Sequence, residues 1–217
     1  MSADATNDLN LAELELDALT ELVNLGVSRA AANLAVMVRE EVVLTVPQVA
    51  LLTREAAIKS LGERESRSLV AVHQTFEGEF VGRALLIFPE ENSLELVRAL
   101  VGSELSNEEI IELEQEALAE TGNVILNSCL ATIANSLESN LRMSLPEVLR
   151  GEGRRFFNLP PPPAQGPTVL FIYINFALRR RDVAGYIAMM MDMPSLTALQ
   201  KLLRNLIART SGTSRVH

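Results

Sequence analysis

Four residues in this chain have types and spacings that could do chemistry: Glu21 with Asn24, and Glu120 with Asn123. In each pair the asparagine follows the glutamate by three positions, and a proline, Pro47 or Pro146, follows the asparagine by twenty-three. The two sets are offset by a constant ninety-nine positions. Residues three apart on a helix are neighbours, so each carboxylate and carboxamide would share a face. A carboxamide accepts through its oxygen, donates through its NH2 group and carries no charge, which suits it to holding a water. General acid and base work by paired carboxylates is the weaker alternative, because no residue here suggests the required split in pKa. Polar residues kept in register across an internal repeat suggest a duplicated site.

Two long helices must position these groups. At about 100° per residue, Asp17, Glu21, Asn24 and Ser28 fall within roughly 60° of one another and form one stripe. Leu16, Leu19, Val23, Val27, Ala30, Leu34 and Met37 gather on a neighbouring face, the core side of an amphipathic helix. In the second helix the stripe is Glu116, Glu120, Asn123 and Asn127, with Leu118, Leu126, Cys129 and Ile133 on the core side. A solvated helix face has to carry polar residues of some kind, and common ancestry of the halves would preserve a pattern without activity. Yet asparagine costs about half a kcal/mol relative to alanine inside a helix, so its retention at the same place twice asks for a reason.

The remaining elements follow the same order in both halves. A helix is predicted from Leu11 to Arg39, then a short strand from Val42 to Val46 leading into Pro47. Strands at Ser68 to Gln74 and Phe80 to Phe88 read as a hairpin turning at Glu77-Gly78, and a helix capped near Ser93 closes at Gly102. In the second half Ser106 and Glu109 form a capping-box signature for a helix reaching Leu137. Residues 141–146 mirror 41–47, Thr168 to Phe176 and Val183 to Met191 give a second hairpin, and a last helix starts at Ser195. The late alignment has gained three residues, for which the run Pro160 to Pro163 is the natural place. Pro47 and Pro146 are expected to end their strands or shape the next turn.

The expected architecture is therefore α+β with pseudo-twofold symmetry, strands of both halves sharing one sheet under the helices. Residues 10–208 would form one domain, with repeats at about 10–103 and 106–208. Residues 1–9 and 209–217 are expected to be flexible ends.

Composition excludes several functions. The 217 residues are 48% hydrophobic and 22% charged, enough for a substantial core. A formal net charge of −9 argues against nucleic acid, whose binding depends on clustered basic residues. Cys129 is the only cysteine, so neither an intramolecular disulfide nor a thiolate cluster can form. His73 and His217 are poor material for a metal site. With no secretory signal at the N-terminus and no apolar run of membrane-spanning length, a cytoplasmic protein without membrane insertion is expected. Met189, Met190, Met191 and Met193 read as core or adaptable contact surface, and Arg179 to Arg181 as a solvated hairpin tip. Gly151 and Gly153 lack the following residues of a phosphate loop.

The motif and the order of elements resemble those of the CheC, CheX and FliY phosphatases of bacterial chemotaxis, which act on the phosphorylated receiver protein CheY. That family's motif is Asp or Ser, three residues, Glu, two residues, Asn, twenty-two residues, then Pro. The chain matches it at Asp17, Glu21, Asn24 and Pro47, and again at Glu120, Asn123 and Pro146. Two departures stand out: Glu116 replaces the Asp or Ser, and Val23 precedes Asn24 where the family often has glycine. The resemblance runs from about residue 10 to 208 and is nearest to the two-copy CheC arrangement.

What the resemblance implies is a duplicated CheC-like fold with a mixed or antiparallel sheet, and a phosphatase acting on the aspartyl phosphate of a CheY-type receiver. Asn24 and Asn123 would hold the attacking water, while Glu21 and Glu120 would dock on the receiver's lysine. Asp17, Ser28, Glu116 and Asn127 would be further partner contacts. Mg2+ would belong to the receiver, and the chain would need no cofactor of its own. The alternative is a non-catalytic adaptor that binds a receiver or the CheD deamidase. A motor-switch component of the FliY kind would be expected to carry an added C-terminal domain. With both repeats in one chain a monomer suffices. The first copy is the better candidate on chemistry, since Glu116 adds an acidic group and a longer side chain to the edge of the second.

Overall fold

Each half opens with a long helix, α1 (Glu13–Val38) and α4 (Asn107–Ser136). The structure, a computed structural model, describes residues 11–38, 41–65, 68–101, 106–159, 168–178 and 181–213. The capping box at the start of α4 is formed: the Glu109 N–H donates to Ser106 Oγ at 3.3 Å and the Ser106 N–H to the Glu109 carboxylate at 2.8 Å. The first repeat continues with β1 (Val42–Thr53), α2 (Arg54–Arg64), β2 (Leu69–Gly78), β3 (Gly82–Pro89) and α3 (Glu90–Val101). The second continues with β4 (Leu141–Met143), β5 (Glu147–Gly151), α5 (Gly153–Phe157), β6 (Thr168–Leu178), β7 (Arg181–Met191) and α6 (Met193–Thr213).

Several boundaries differ from expectation. Helix α2 starts at an N-cap, Thr53, whose Oγ1 accepts from the Ala56 N–H at 3.1 Å; neither it nor its short counterpart α5 was expected. β2 carries through Glu77 and Gly78, so the chain turns at residues 79–81 instead. Ser93 lies inside α3, not at its cap, and Ser195 lies two residues inside α6. Helix α6 runs to Thr213, so residues 209–213 are helical rather than a flexible tail. The expectations for residues 1–9, Gly102, Pro160 to Pro163, Arg179, Arg180 and residues 214–217 lie outside the described residues.

All strand pairs are antiparallel, in the order β1-β6-β7-β3-β2, with β4 and β5 both on the outer edge of β2. Exchanging the two repeats reverses this order and leaves it otherwise unchanged, so the pseudo-twofold axis passes between β3 and β7. The opening strand of each repeat pairs with the hairpin of the other, β1 with β6 and β4 and β5 with β2. Separating the repeats would leave those strand edges unpaired, which is why the chain forms a single interlocked sheet.

Pro47 does not end its strand, whereas Pro146 lies in the break between β4 and β5, where a strand end or turn was expected. β1 continues past Pro47; its register steps from Thr45↔Asn175 to Gln48↔Tyr173, so Val46 and Pro47 face Ile174 alone. This is a bulge on an edge strand, where a missing N–H is tolerated. In the second repeat Ser144, Leu145 and Pro146 face Gln74 and Thr75, and the Ser144 N–H donates to the Thr75 carbonyl at 2.9 Å. Gln74 is thus left opposite Leu145 and Pro146, as Ile174 is opposite Val46 and Pro47, which makes Gln74 and Ile174 counterparts. By the same registers Val72 corresponds to Ile172 and Leu86 to Ile187. One added residue therefore precedes β6, another falls across the β6–β7 turn and the third lies between β7 and α6, so the gain is not one block in the Pro160 to Pro163 run.

The sheet buries both faces. On one, Val70, Val72, Leu86, Phe88, Ile172, Ile187, Met189 and Met191 form a large core with residues of α1, α3, α4 and α6. On the other, Leu69, Ala71, Leu85, Ile87, Phe171, Tyr186 and Met190 pack with Ala57 and Leu61 of α2 and Phe156 and Phe157 of α5. Met189 to Met191 thus alternate between two cores, as strand geometry demands. β3, at the centre, is buried at every position. Among the described residues no helix is long and apolar enough to cross a membrane.

Candidate functional site

Helices α1 and α4 lie side by side and approach closely where Gly26 meets Cys129; a Cβ on Gly26 would stand 2.8 Å from the Cys129 Cα. Polar bridges flank this contact, from Arg29 Nη1 to Thr132 Oγ1 at 3.3 Å and from Asn33 Nδ2 to Ser128 Oγ at 3.2 Å. Burial pushes the Cys129 thiol up to about 12, so it serves as a small core group and not as a nucleophile. Met37, expected on the core face, is exposed near the end of α1.

The helical stripes are present as surface features. On α1, Asp17 and Glu21 are exposed, Asn24 is half-buried, and Ser28 is exposed with its hydroxyl donating to the Asn24 main-chain carbonyl at 2.8 Å. Among the described residues no side chain hydrogen-bonds the Asn24 carboxamide. On α4, Glu116 and Glu120 are exposed, and Asn123 and Asn127 are half-buried. Here the carboxamide is held: Asn123 Oδ1 accepts from Asn127 Nδ2 at 2.6 Å and from Gln74 Nε2 at 3.2 Å. Gln74 also donates to the Ser144 carbonyl at 2.8 Å.

Gly122 makes the second arrangement possible. A Cβ at that position would stand 2.4 Å from Val72 Cγ1, so only glycine lets α4 settle this closely on β2. The same helix position in the first repeat is Val23, fully buried, with a side chain where α4 has none. The Ser144–Pro146 bulge then supplies the carbonyl on which Gln74 rests. In the second copy, the spacing from asparagine to proline therefore connects a helix side chain to a strand irregularity through one buried glutamine.

Gln74, Gly122 and Ser144 were not anticipated. Gln74 is a fully buried amide on the apolar face of a central strand, and its alternation with Val72 and Phe76 was the available signal. Two further repeated pairs also escaped notice, although the ninety-nine-residue register contains them. Leu14 and Leu113 head the two stripes as exposed apolar residues. Glu15 and Glu114 are buried carboxylates that tie each long helix to the other repeat's last helix. Glu114 accepts from Ser93 Oγ of α3 at 2.8 Å and from Arg150 Nη2 of β5 at 2.5 Å. Glu15 accepts from Gln200 at 2.9 Å and Arg204 at 2.5 Å, both on α6, and from the Ala12 N–H at 2.9 Å. Burial alone would raise the Glu15 carboxyl, but the bonds from Gln200, Arg204 and Ala12 outweigh it and hold the group below its usual range. Among the described residues no group of His, Cys, Asp and Glu could hold a metal ion.

Fold and site together define a class: a duplicated α+β domain with matched carboxylate and carboxamide stripes on two adjoining helices. The family model described as "Chemotaxis phosphatase CheX" matches residues 70–158, which include Gln74, Glu120 and Asn123. Over 139 residues, 63% of this chain, it is 26% identical to "CheY-P phosphatase CheC" of Bacillus subtilis, and the match spans 66% of that protein's length. The crystal structure of Thermotoga maritima FliY has a TM-score of 0.69 at 19% identity, covering 90% of this chain and 98% of that one. The FliM middle domain from H. pylori has a TM-score of 0.57 at 11% identity, covering 88% and 99%. The sequence matches support the likeness to the CheC, CheX and FliY family, and the FliY structure shows the same fold over nine-tenths of the chain.

Proposed function

We propose that the chain is a phosphatase for the aspartyl phosphate of a CheY-type receiver, with a site on each long helix. The observation that carries the reading is the twice-repeated Glu and Asn pair on the exposed stripes of pseudo-twofold-related helices. The sequence match to a CheY-P phosphatase supports it. The reaction needs a water placed in line with the bond between phosphorus and the aspartyl carboxyl oxygen. The water oxygen bonds to phosphorus as that older phosphorus–oxygen bond breaks; its electron pair stays with the aspartate, which leaves as the carboxylate, and the water's protons stay with the inorganic phosphate. Such reactions are driven largely by positioning and electrostatics, so a neutral carboxamide is sufficient protein chemistry.

Glu21 and Glu120 would pair with the receiver's lysine and set the register, with Asp17, Ser28, Glu116 and Asn127 around them. Mg2+ would be the receiver's, and no cofactor would belong to this chain. At Asn24 either end of the carboxamide is available to a water. At Asn123 the oxygen is engaged by Gln74 and Asn127, so the NH2 group is offered to the phosphoryl oxygens and the water beside them.

Decay of a phosphorylated receiver in the presence of trace amounts of this protein tests the reading. Wild type should accelerate it, and Asn24→Ala with Asn123→Ala together should lower turnover by about a hundredfold while receiver binding persists. An unchanged decay rate with wild type would remove catalysis and leave the second reading, an adaptor that binds a receiver or CheD. The FliM likeness keeps that reading in view, since one fold can carry different activities.

A further inference from the structure

We propose that Gln74 is a positioning residue for Asn123, holding its carboxamide with the oxygen inward and the NH2 group toward the partner. The inference rests on the phosphatase reading for its role in turnover, and on the geometry alone for the orientation. An amide can be turned either way round, so something must decide which end faces out. The decision starts at the backbone. The Ser144 carbonyl can only accept, so the group that Gln74 presents to it at 2.8 Å is Nε2. The second hydrogen of that NH2 group meets the Asn123 side chain at 3.2 Å, which requires an acceptor there, Oδ1. Asn127 adds a second donor to the same oxygen at 2.6 Å. With both lone pairs engaged, the end of Asn123 left for a ligand is its NH2 group.

That polarity suits an anionic phosphoryl group, which an outward carbonyl oxygen would repel. The arrangement carries a burial penalty. Gln74 Oε1 and Asn127 Oδ1 are buried with no hydrogen-bond partner among the described residues, and an apolar side chain at position 74 would spare the first. The first repeat has such a residue, the fully buried Ile174. Gly122 is the second requirement, because α4 has to lie against Val72 for Asn123 to reach a residue of the sheet.

The test uses Gln74→Met, which keeps length and loses the donor, in an Asn24→Ala background that isolates the second copy. Turnover of the phosphorylated receiver should fall about tenfold in kcat, the effect of one lost hydrogen bond, with KM and melting temperature little changed. Adding Gln74→Met to Asn123→Ala should cost nothing more. Unchanged or faster turnover would overturn the proposal, as would the same loss in the Asn123→Ala background. Gln74→Leu repeats the test if methionine disturbs the packing. The NH2 resonances of Asn123, assigned from Asn123→Ala, provide a reading that needs no receiver. In wild type they should be shifted and well resolved, and in Gln74→Met they should move toward those of exposed asparagines. Should wild type prove inactive, the phosphatase reading falls, and Asn123 resonances unmoved by Gln74→Met would then overturn the orientation as well.

Discussion

The two copies of the site share their acid, their asparagine and their proline, yet are built differently underneath. Asn123 lies on a helix seated against the sheet through Gly122, with its oxygen held by Gln74 and Asn127. Asn24 lies on a helix whose equivalent position is Val23, above a strand that offers Ile174, and no side chain among the described residues orients its amide. Duplication preserved the Glu and Asn of the two surface stripes, while the supporting layer diverged. On these grounds the second copy is the better pre-organised of the two. Under the proposed function this favours the second copy, where Glu116 alone favoured the first, because an exposed acid at the rim weighs less than an orienting bond beneath the carboxamide.

Gly122→Val should break this difference with the largest effect. The new side chain meets Val72, so α4 has to lift from β2, at a cost of about 2–3 kcal/mol in denaturant unfolding. The second copy's turnover, read with Asn24→Ala present, should drop by more than tenfold. Wild-type stability and turnover would show that glycine does not seat the helix.

The converse substitution sharpens the comparison. Val23→Gly with Ile174→Gln, made in an Asn123→Ala background, should raise turnover from the first copy several-fold, the return expected for one oriented hydrogen bond. Stability should fall by about 2 kcal/mol, since a buried methyl pair is lost and an amide is buried. No gain in turnover would mean that the copies differ for some other reason.

The smallest effect concerns the buried acids behind the stripes. The folded-state pKa of Glu15 lies below its unfolded value. Its stabilising contribution is therefore complete above the unfolded pKa, about 4.3, and is lost as pH falls through the lower folded value. Wild type and Glu15→Gln should differ by a constant margin in unfolding free energy from pH 7 to about 5 and converge below about 4. A margin that stays the same into acid would exclude the Glu15 carboxylate as its source.

Much of the architecture was legible because it is written in local spacing. The helices α1 and α4 follow from a 3.6-residue apolar period, and the start of α4 from Ser106 and Glu109, which bond within one turn. The signal for α2 was also present, a threonine ahead of REAAIKSL, a run rich in good helix formers. Helix α5 has only five residues and owes its place to Phe156 and Phe157 packing on the far face of the sheet, which no local pattern reveals. Pro47 misled because a proline usually stops a strand; here β1 is at an edge and absorbs it in a bulge.

What the sequence determined by itself was the duplication, the class of fold and the two surface stripes, since these depend on residues a few positions apart and on their repetition. Tertiary structure decided that each repeat lends its first strand to the other, and that the buried Glu15 and Glu114 bind the halves together. It also decided that Asn123, unlike Asn24, is oriented by a glutamine forty-nine residues before it. These are contacts between distant parts of the chain, chosen by how closely backbones can approach. A missing Cβ at Gly122 and a bulge at Ser144 to Pro146 control that approach, and neither has a meaning until the helix lies on the strand.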